Sequence, residues 1–219
     1  KGKVCLTHTG TRYREGHKEL DVLFKDTPAF TDQTEFFAFN PNLHYVVSPV
    51  EFEMGQLYDE GKLKVGHYPS NPEVKGTSKI VEMISEIKDQ IDWRFSIKKV
   101  DHYLQLERMA KCDVYLELFK PEINGNPYGC FGVTALEAAA MGKIVITNNL
   151  YPKVYTDAYG KCPMTFANNE YQFKNVLNGL LKMDRNMIRM VQKETFYIMR
   201  ENHSYEATGK RILKAINEA

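Results

Sequence analysis

Short β-rich runs alternate with longer stretches of helical periodicity from about Lys62 onward. This alternation predicts a Rossmann-like, doubly wound α/β fold with a parallel sheet, because parallel strands need crossover connections that are usually helical. The runs predicted to be strands cover residues 63–67, 93–97, 114–118, 144–147 and 164–166. The first helix between them has the clearest apolar face, formed by Ile80, Met83, Ile84, Ile87 and Ile91.

Capping residues mark the other predicted helices. Asp101 begins the second helix, and the third runs from near Gly132 to Met141, with Gly142 ending it. After Ala167 the pattern is helical alone, over residues 168–182, 185–201 and 205–219. Before Lys62, weaker patterns predict strands at 4–7, 35–39 and 44–47 and a helix at 17–24.

Composition excludes several classes of function. The chain has 219 residues, 43% of them hydrophobic, and is therefore long enough to bury a core. Its net charge of +1 gives no general attraction to nucleic acid, and we predict no nucleic-acid partner. No apolar run approaches the roughly 18–20 residues of a transmembrane segment. The cysteines, which are Cys5, Cys112, Cys130 and Cys162, lack metal or disulfide spacing, so we expect buried thiols in a cytoplasmic protein, with peripheral contact to a membrane left open.

The polar segment from His67 to Thr77 is the first candidate site. It leaves a predicted strand and enters the first amphipathic helix, where unsatisfied backbone N–H groups and the helix dipole favour an anion. Lys75 adds a full positive charge there, suited to a phosphate. The alternative is an ordinary loop with a solvated lysine, and the segment is not a GxxxxGK[ST] phosphate loop.

The segment from Asn126 to Lys143 is the second candidate site. Its glycines allow a ligand to approach the backbone, and the start of the third helix offers N–H groups to a diphosphate. Glu137 lies one turn into that helix, where its carboxylate is placed to accept hydrogen bonds from a ribose diol. The alternative is a tightly packed helix, which explains the alanines but leaves a glutamate in an apolar run without a partner.

These segments together resemble the retaining glycosyltransferases of the GT-B fold, in the group related to glycosyltransferase family four. That family has a polar loop with Lys-Gly, as in Lys75-Gly76, and then Phe-Gly or Tyr-Gly before Glu-Ala-Met-Ala-x-Gly-Lys-Pro-Val. This chain reads Phe131-Gly132, then Glu137-Ala138-Ala139-Ala140-Met141-Gly142-Lys143-Ile144-Val145. Between Lys75-Gly76 and Phe131-Gly132, the segment Ala110-Lys111-Cys112-Asp113-Val114 is similar to the family's Ala-Asp-Val, and the resemblance covers residues 63–146.

The resemblance implies a hexosyltransferase that moves a hexose from a nucleoside-diphosphate sugar to a glycan or lipid-linked acceptor, retaining the anomeric configuration. It implies a shortened, acceptor-side lobe at residues 1–60, a donor-binding domain at 61–202, and a C-terminal helix at 203–219 packing back on the first lobe. The implied catalytic residues are His8 and Lys75, and the implied donor-binding residues are Ser70, Asn71, Lys75, Gly129, Gly132, Val133, Thr134 and Glu137. No cofactor and no metal are implied, and the histidines show no zinc spacing.

Two departures from the family leave alternatives open. Gly129 stands where the family often has a sugar-contacting Glu, and Pro69 stands where it commonly has an Arg. Candidates to supply the missing donors are His67, Ser70 and Asn71, and candidates to reach the sugar are Asn124 and Asn126. Arg12 and Arg14 either grip an anionic acceptor or lie in a solvated loop. The alternative functions are an inactive nucleotide-sugar-binding module and a nucleotide-sugar epimerase of the same architecture.

Overall fold

Two parallel sheets organise residues 5–8, 10–123 and 126–218, the part of the chain that the computed structural model describes. In chain order the elements are β1 (Leu6–Thr7), α1 (Gly10–Leu23), β2 (Ala29–Thr31), a 3-10 helix (Thr34–Ala38), β3 (His44–Tyr45), β4 (Leu63–His67), α2 (Thr77–Ser85), a second 3-10 helix (Lys88–Gln90), β5 (Ile91–Phe95), α3 (His102–Ala110), β6 (Val114–Leu116), β7 (Glu122–Ile123), β8 (Asn126–Pro127), α4 (Val133–Ala140), β9 (Ile144–Thr147), α5 (Pro152–Tyr159), β10 (Thr165–Phe166), α6 (Glu170–Leu181), α7 (Arg185–His203) and α8 (Tyr205–Glu218).

The larger sheet has the strand order β10-β9-β6-β4-β5, and all its pairs are parallel. One face packs against α3, α4, α5 and α7 through a core that includes Met109, Leu136 and Met199. The other face packs against α2 and α6 through a core that includes Ile84 and Leu177. The predicted parallel sheet with helices on both faces is therefore confirmed, as is the helical C-terminal part.

The strand order reverses between β4 and β6. From β4 the chain passes to β5 on one side and then returns to place β6 on the other side of β4. In open parallel sheets, the crevice at the carboxyl ends of the strands beside such a reversal is where ligands bind. The segments that follow His67 and Leu116 therefore lie on either side of this crevice.

The smaller sheet has the order β1-β2-β3, with short parallel strands and α1 beside them. Its buried cluster consists of Tyr13, Phe36 and Leu43. Hydrogen bonds join it to the larger unit, from Thr34 Oγ1 to Asn149 Oδ1 at 2.9 Å and from Val47 N to the Tyr159 hydroxyl at 2.8 Å. The division of the chain at residue 60 and the packing of the last helix onto the first lobe stay predictions.

Several predicted elements are wrong in detail. α2 ends at Ser85, and Ile91 begins β5, because the Ile87-to-Ile91 spacing spans a 3-10 turn instead of one turn of helix. The segment predicted as a strand at 35–39 forms the 3-10 helix Thr34–Ala38, and β2 and α5 were not predicted. The first residue of the strand expected at 4–7 lies outside the described residues. Cys5 is exposed, so the expectation of buried thiols fails there.

Candidate functional site

A buried ion pair lies at the crevice between β4 and β6. Lys75 follows β4 and Glu117 follows β6, and the lysine Nζ contacts the carboxylate Oε1 directly. The Glu117 side chain is 0% exposed, whereas 15% of the Lys75 side chain remains exposed. The Thr147 hydroxyl donates to Glu117 Oε2 at 2.7 Å, and the Thr134 hydroxyl reaches Oε1 at 3.4 Å. The carboxylate is thus fixed from three elements, and it holds the lysine at the edge of the sheet.

The charge of Lys75 is preserved by this pairing. Burial by itself lowers the pKa of the Lys75 ammonium, but the charge and hydrogen bond of Glu117 outweigh that effect and the pKa is raised. The site therefore keeps a positive charge whose remaining N–H donors are partly exposed to solvent.

The loop that carries Lys75 is shaped by local hydrogen bonds. Asn71 Oδ1 accepts from the backbone N–H of Glu73 at 3.1 Å and of Val74 at 3.2 Å, which forms an Asx turn. Gly76 closes the loop with φ +66°, and a Cβ atom there would lie 1.9 Å from Phe119 O. Asn71, predicted to bind the donor, therefore serves the loop itself, and Ser70 is exposed on its surface.

His67 connects the strand ends to this loop and has no free ring nitrogen. Its Nδ1 lies 2.7 Å from Leu116 O and its Nε2 lies 2.9 Å from Thr77 Oγ1, so the neutral ring donates to the carbonyl and accepts from the hydroxyl. Burial lowers the pKa of His67 to about 4. The expectation that His67 could donate to a ligand is therefore wrong.

The N-terminus of α4 closes over the ion pair. Gly132 is its N-cap residue and provides no side-chain cap. A Cβ atom on Gly132 would lie 3.1 Å from both Glu117 Oε1 and Lys75 Nζ, so glycine lets the helix start against the pair. Val133 is 54% exposed and Thr134 is half-buried, which leaves the first turn of α4 beside Lys75 open to solvent. Lys75, Gly132, Val133 and Thr134, predicted from distant segments, thus lie together.

A second ion pair comes from helices beside the smaller sheet, α1 and the 3-10 helix Thr34–Ala38. Arg14 on α1 donates from Nε to Glu35 Oε1 at 2.6 Å, and its guanidinium lies 5.4 Å from the Phe36 ring and 5.5 Å from the Tyr128 ring. Burial is the main cause that raises the pKa of the Tyr128 phenol. Smaller effects on this pKa come from the charges of both ion pairs, Lys75–Glu117 and Arg14–Glu35. Arg14 is therefore not in a solvated loop. We refer to the two ion pairs and Tyr128 as the paired-charge cleft.

Gly129 has no room for a side chain. A Cβ atom there would lie 2.2 Å from Asn148 Nδ2, and Asn148 is fully buried. The Asn148 amide is held by Lys120 N at 2.9 Å and by Tyr128 O at 3.1 Å, so it cannot move aside cheaply. A glutamate at position 129 would displace this amide. The carboxylate that meets position 129 is that of Glu35, whose Oε2 accepts from Gly129 N at 3.4 Å.

Two predicted site residues have their main contacts elsewhere. His8 is 8% exposed, stacks on Tyr13 at 4.2 Å, and lines a cavity of about 710 Å³ with Asp21 and Asn40. Burial lowers the pKa of His8. Glu137 lies on α4 and contacts the His102 ring at 3.3 Å. Asn124 lies outside the described residues, and so does the side chain of Asn126.

Known structures identify the fold, although the sequence matches no protein-family model and no curated protein. Sucrose-phosphate synthase from Thermosynechococcus elongatus has a TM-score of 0.60 at 12% identity, covering 97% of this chain and 67% of that one. HepE from Anabaena has a TM-score of 0.60 at 10% identity, covering 99% and 72%. TarM from S. aureus has a TM-score of 0.64 at 11% identity, covering 93% and 46%. The chain has a GT-B fold. The matched region spans less than half of the length of TarM.

The described part of this GT-B chain shows neither a metal-binding cluster nor a membrane-spanning helix. No group of three or more His, Cys, Asp or Glu side chains within it is placed to hold a metal ion. Likewise, none of its helices is both long enough and apolar enough to cross a membrane.

Sequence reasoning missed both carboxylates of the paired-charge cleft. Glu117 ends an apolar run, Val114-Tyr115-Leu116, and the rule that a buried carboxylate needs a partner would have singled it out. Glu35 had no such signal, because its partners are 21 and 94 residues away in the chain.

Proposed function

We propose that this chain binds a nucleoside-diphosphate sugar and transfers its hexose to an acceptor hydroxyl. The single observation that carries the proposal is the Lys75–Glu117 pair, which lies at the reversal of strand order beneath the uncapped start of α4. A partly exposed ammonium beside helix-terminal N–H groups suits a diphosphate. HepE structures with UDP and glucose or with UDP-glucose, and a TarM structure with UDP, support this class of donor.

In the proposed reaction, the bond between the anomeric carbon and the diphosphate oxygen breaks as the acceptor oxygen bonds to that carbon. Lys75 and the backbone N–H groups of Val133 and Thr134 stabilise the negative charge that grows on the leaving diphosphate. The acceptor hydroxyl gives its proton to the departing diphosphate oxygen. The proposal includes retention of the anomeric configuration, a hexose as the transferred group, and a glycan or lipid-linked acceptor. It also includes catalysis independent of metal and a cytoplasmic location.

Nucleotide binding tests the donor site. UDP, GDP and ADP are titrated by calorimetry into the wild type, Lys75→Met and Lys79→Met. Lys79 is the matched control, because it lies near the start of α2 but pairs with the exposed carboxylates Glu82 and Glu170. We expect one nucleotide to bind, at least tenfold weaker binding in Lys75→Met, and less than a twofold change in Lys79→Met. Absence of binding to the wild type, or equal binding by both variants, refutes the donor site.

A binding module without turnover is the second candidate. The observation that favours it is Gly129, where the packing of Asn148 excludes the glutamate found in the family that the sequence resembles. Release of free hexose from the bound nucleotide sugar separates the two candidates, because a competent site slowly transfers the sugar to water. Binding without any release over a day, with and without added glycan acceptors, supports the module.

A further inference from the structure

Glu35 is a buried carboxylate, and one of its two oxygens accepts little hydrogen bonding. The residue is 5% exposed, and Arg14 donates from both Nε and Nη2 to its Oε1. Within the described part of the chain, Oε2 receives one hydrogen bond, from Gly129 N at the long distance of 3.4 Å. An ionised carboxylate has about four acceptor positions. Buried polar groups are normally satisfied, so Oε2 has capacity for at least one further donor.

The position of Glu35 defines which donor could reach that oxygen. Arg14 lies over one side of the Tyr128 ring, and the charges of Lys75 and Glu117 act on the same phenol. Tyr128 thus links the Arg14–Glu35 pair beside the smaller sheet to the proposed diphosphate position. Gly129, whose N–H contacts Glu35, lies three residues before Gly132 at the start of α4. In a nucleotide sugar, the group attached to the diphosphate is a hexose with several hydroxyl donors.

We propose that Glu35 is a sugar-binding residue whose Oε2 accepts a hydrogen bond from a hydroxyl of the hexose carried by the nucleotide. Arg14 is a positioning residue: its guanidinium lies near the Phe36 and Tyr128 rings and fixes the carboxylate by donating to Oε1. This inference rests on the proposed function. It adds that the smaller sheet contributes to recognition of the sugar, while the larger sheet binds the diphosphate.

The competing explanation is that the Arg14–Glu35 pair only holds α1 against the 3-10 helix and against residues 128–129. A purely structural pair would affect the binding of a nucleoside diphosphate and of its sugar conjugate equally. A sugar-binding carboxylate would affect the conjugate alone. The difference between the two ligands therefore separates the explanations.

The experiment measures affinities for a nucleoside diphosphate and for a panel of its hexose conjugates. Each is titrated into the wild type, Glu35→Gln, Arg14→Met/Glu35→Gln, and the control Glu15→Gln, which alters an exposed carboxylate on the same helix as Arg14. We expect Glu35→Gln to bind the best conjugate about tenfold more weakly, equivalent to about 1.4 kcal/mol. We expect its affinity for the free diphosphate to change less than twofold. The control should match the wild type with both ligands.

The double variant distinguishes binding from positioning. Glu35→Gln leaves a partly buried guanidinium without its counter-charge, and removing both charges should recover melting temperature. We expect the double variant to regain melting temperature and still bind the conjugate weakly. Recovery of conjugate affinity together with melting temperature, or an unchanged affinity in Glu35→Gln, overturns the inference while leaving the diphosphate site intact. Failure of the wild type to bind any nucleotide refutes the proposed function, and this inference with it.

Discussion

Removing the charge of Lys75 should destabilise the chain through Glu117. In Lys75→Met the fully buried carboxylate keeps the hydroxyls of Thr147 and Thr134 but loses its counter-charge. Breaking a buried ion pair on one side costs about 3–5 kcal/mol, and the 15% exposure of Lys75 places the loss at the lower end, about 3 kcal/mol. For a chain of this size we expect the melting temperature to fall by about 6–12 °C.

A double-mutant cycle isolates the pair. Glu117→Gln should cost less, about 2 kcal/mol, because the lysine can turn toward solvent and the amide oxygen still accepts from Thr147. Lys75→Met/Glu117→Gln should be no less stable than Glu117→Gln, so the coupling energy is about 3 kcal/mol. Urea denaturation at pH 7 measures each free energy of unfolding, with Lys79→Met as an exposed control that should match the wild type. Additive losses in the double variant would refute the electrostatic account of the site.

The remaining predictions concern pH and backbone conformation. Burial lowers the pKa of His67 to about 4 and of His203 to about 3, so the unfolded chain binds more protons than the folded chain below pH 6.5. The stability that these two neutral histidines contribute is complete above pH 6.5 and is lost as the pH falls, and His67 alone accounts for a loss of about 3 kcal/mol by pH 4. The free energy of unfolding in urea is measured as a function of pH. A profile that is equally steep in His67→Gln and in the wild type would contradict this prediction. Gly76→Ala should lower the melting temperature strongly, because at φ +66° the new Cβ would lie 1.9 Å from Phe119 O. Gly179→Ala should instead raise the free energy of unfolding by about 0.5–1 kcal/mol, because Gly179 lies inside α6 with open space around it. Equal effects of the two alanine substitutions would count against the assigned loop geometry.

The larger sheet could be predicted because its signals are local. The central strands β4, β6 and β9 are largely buried, and helices separate the β-rich runs, so the alternation of the two periods was enough to predict the sheet. The Asp101 cap was predicted correctly and its side chain accepts from Leu104 N at 2.9 Å. The error at Ile91 arose because four-residue spacing is common to one helical turn and to a 3-10 turn that leads into a strand.

The candidate site was predictable only in part. Lys75 and the start of α4 follow from short motifs, and the sheet then brings them together. The argument that a glutamate in an apolar run needs a partner was applied to Glu137, which contacts His102 near the surface. The same argument holds better for Glu117, which is fully buried. Glu35 is placed by a 3-10 helix that the sequence pattern presented as a strand, so its approach to Gly129 required the structure.

The pairing of charges also determines how a ligand would arrive. Each cation of the paired-charge cleft is matched by a carboxylate in direct contact, and the whole chain carries a net charge of only +1. At a distance beyond the Debye length of about 8 Å, such a cleft attracts an anion no more than neutral surface does. Under the proposed function, encounter with the donor would proceed by unsteered diffusion. Discrimination would then depend on residence time, set by short-range contacts formed only after the nucleotide has entered.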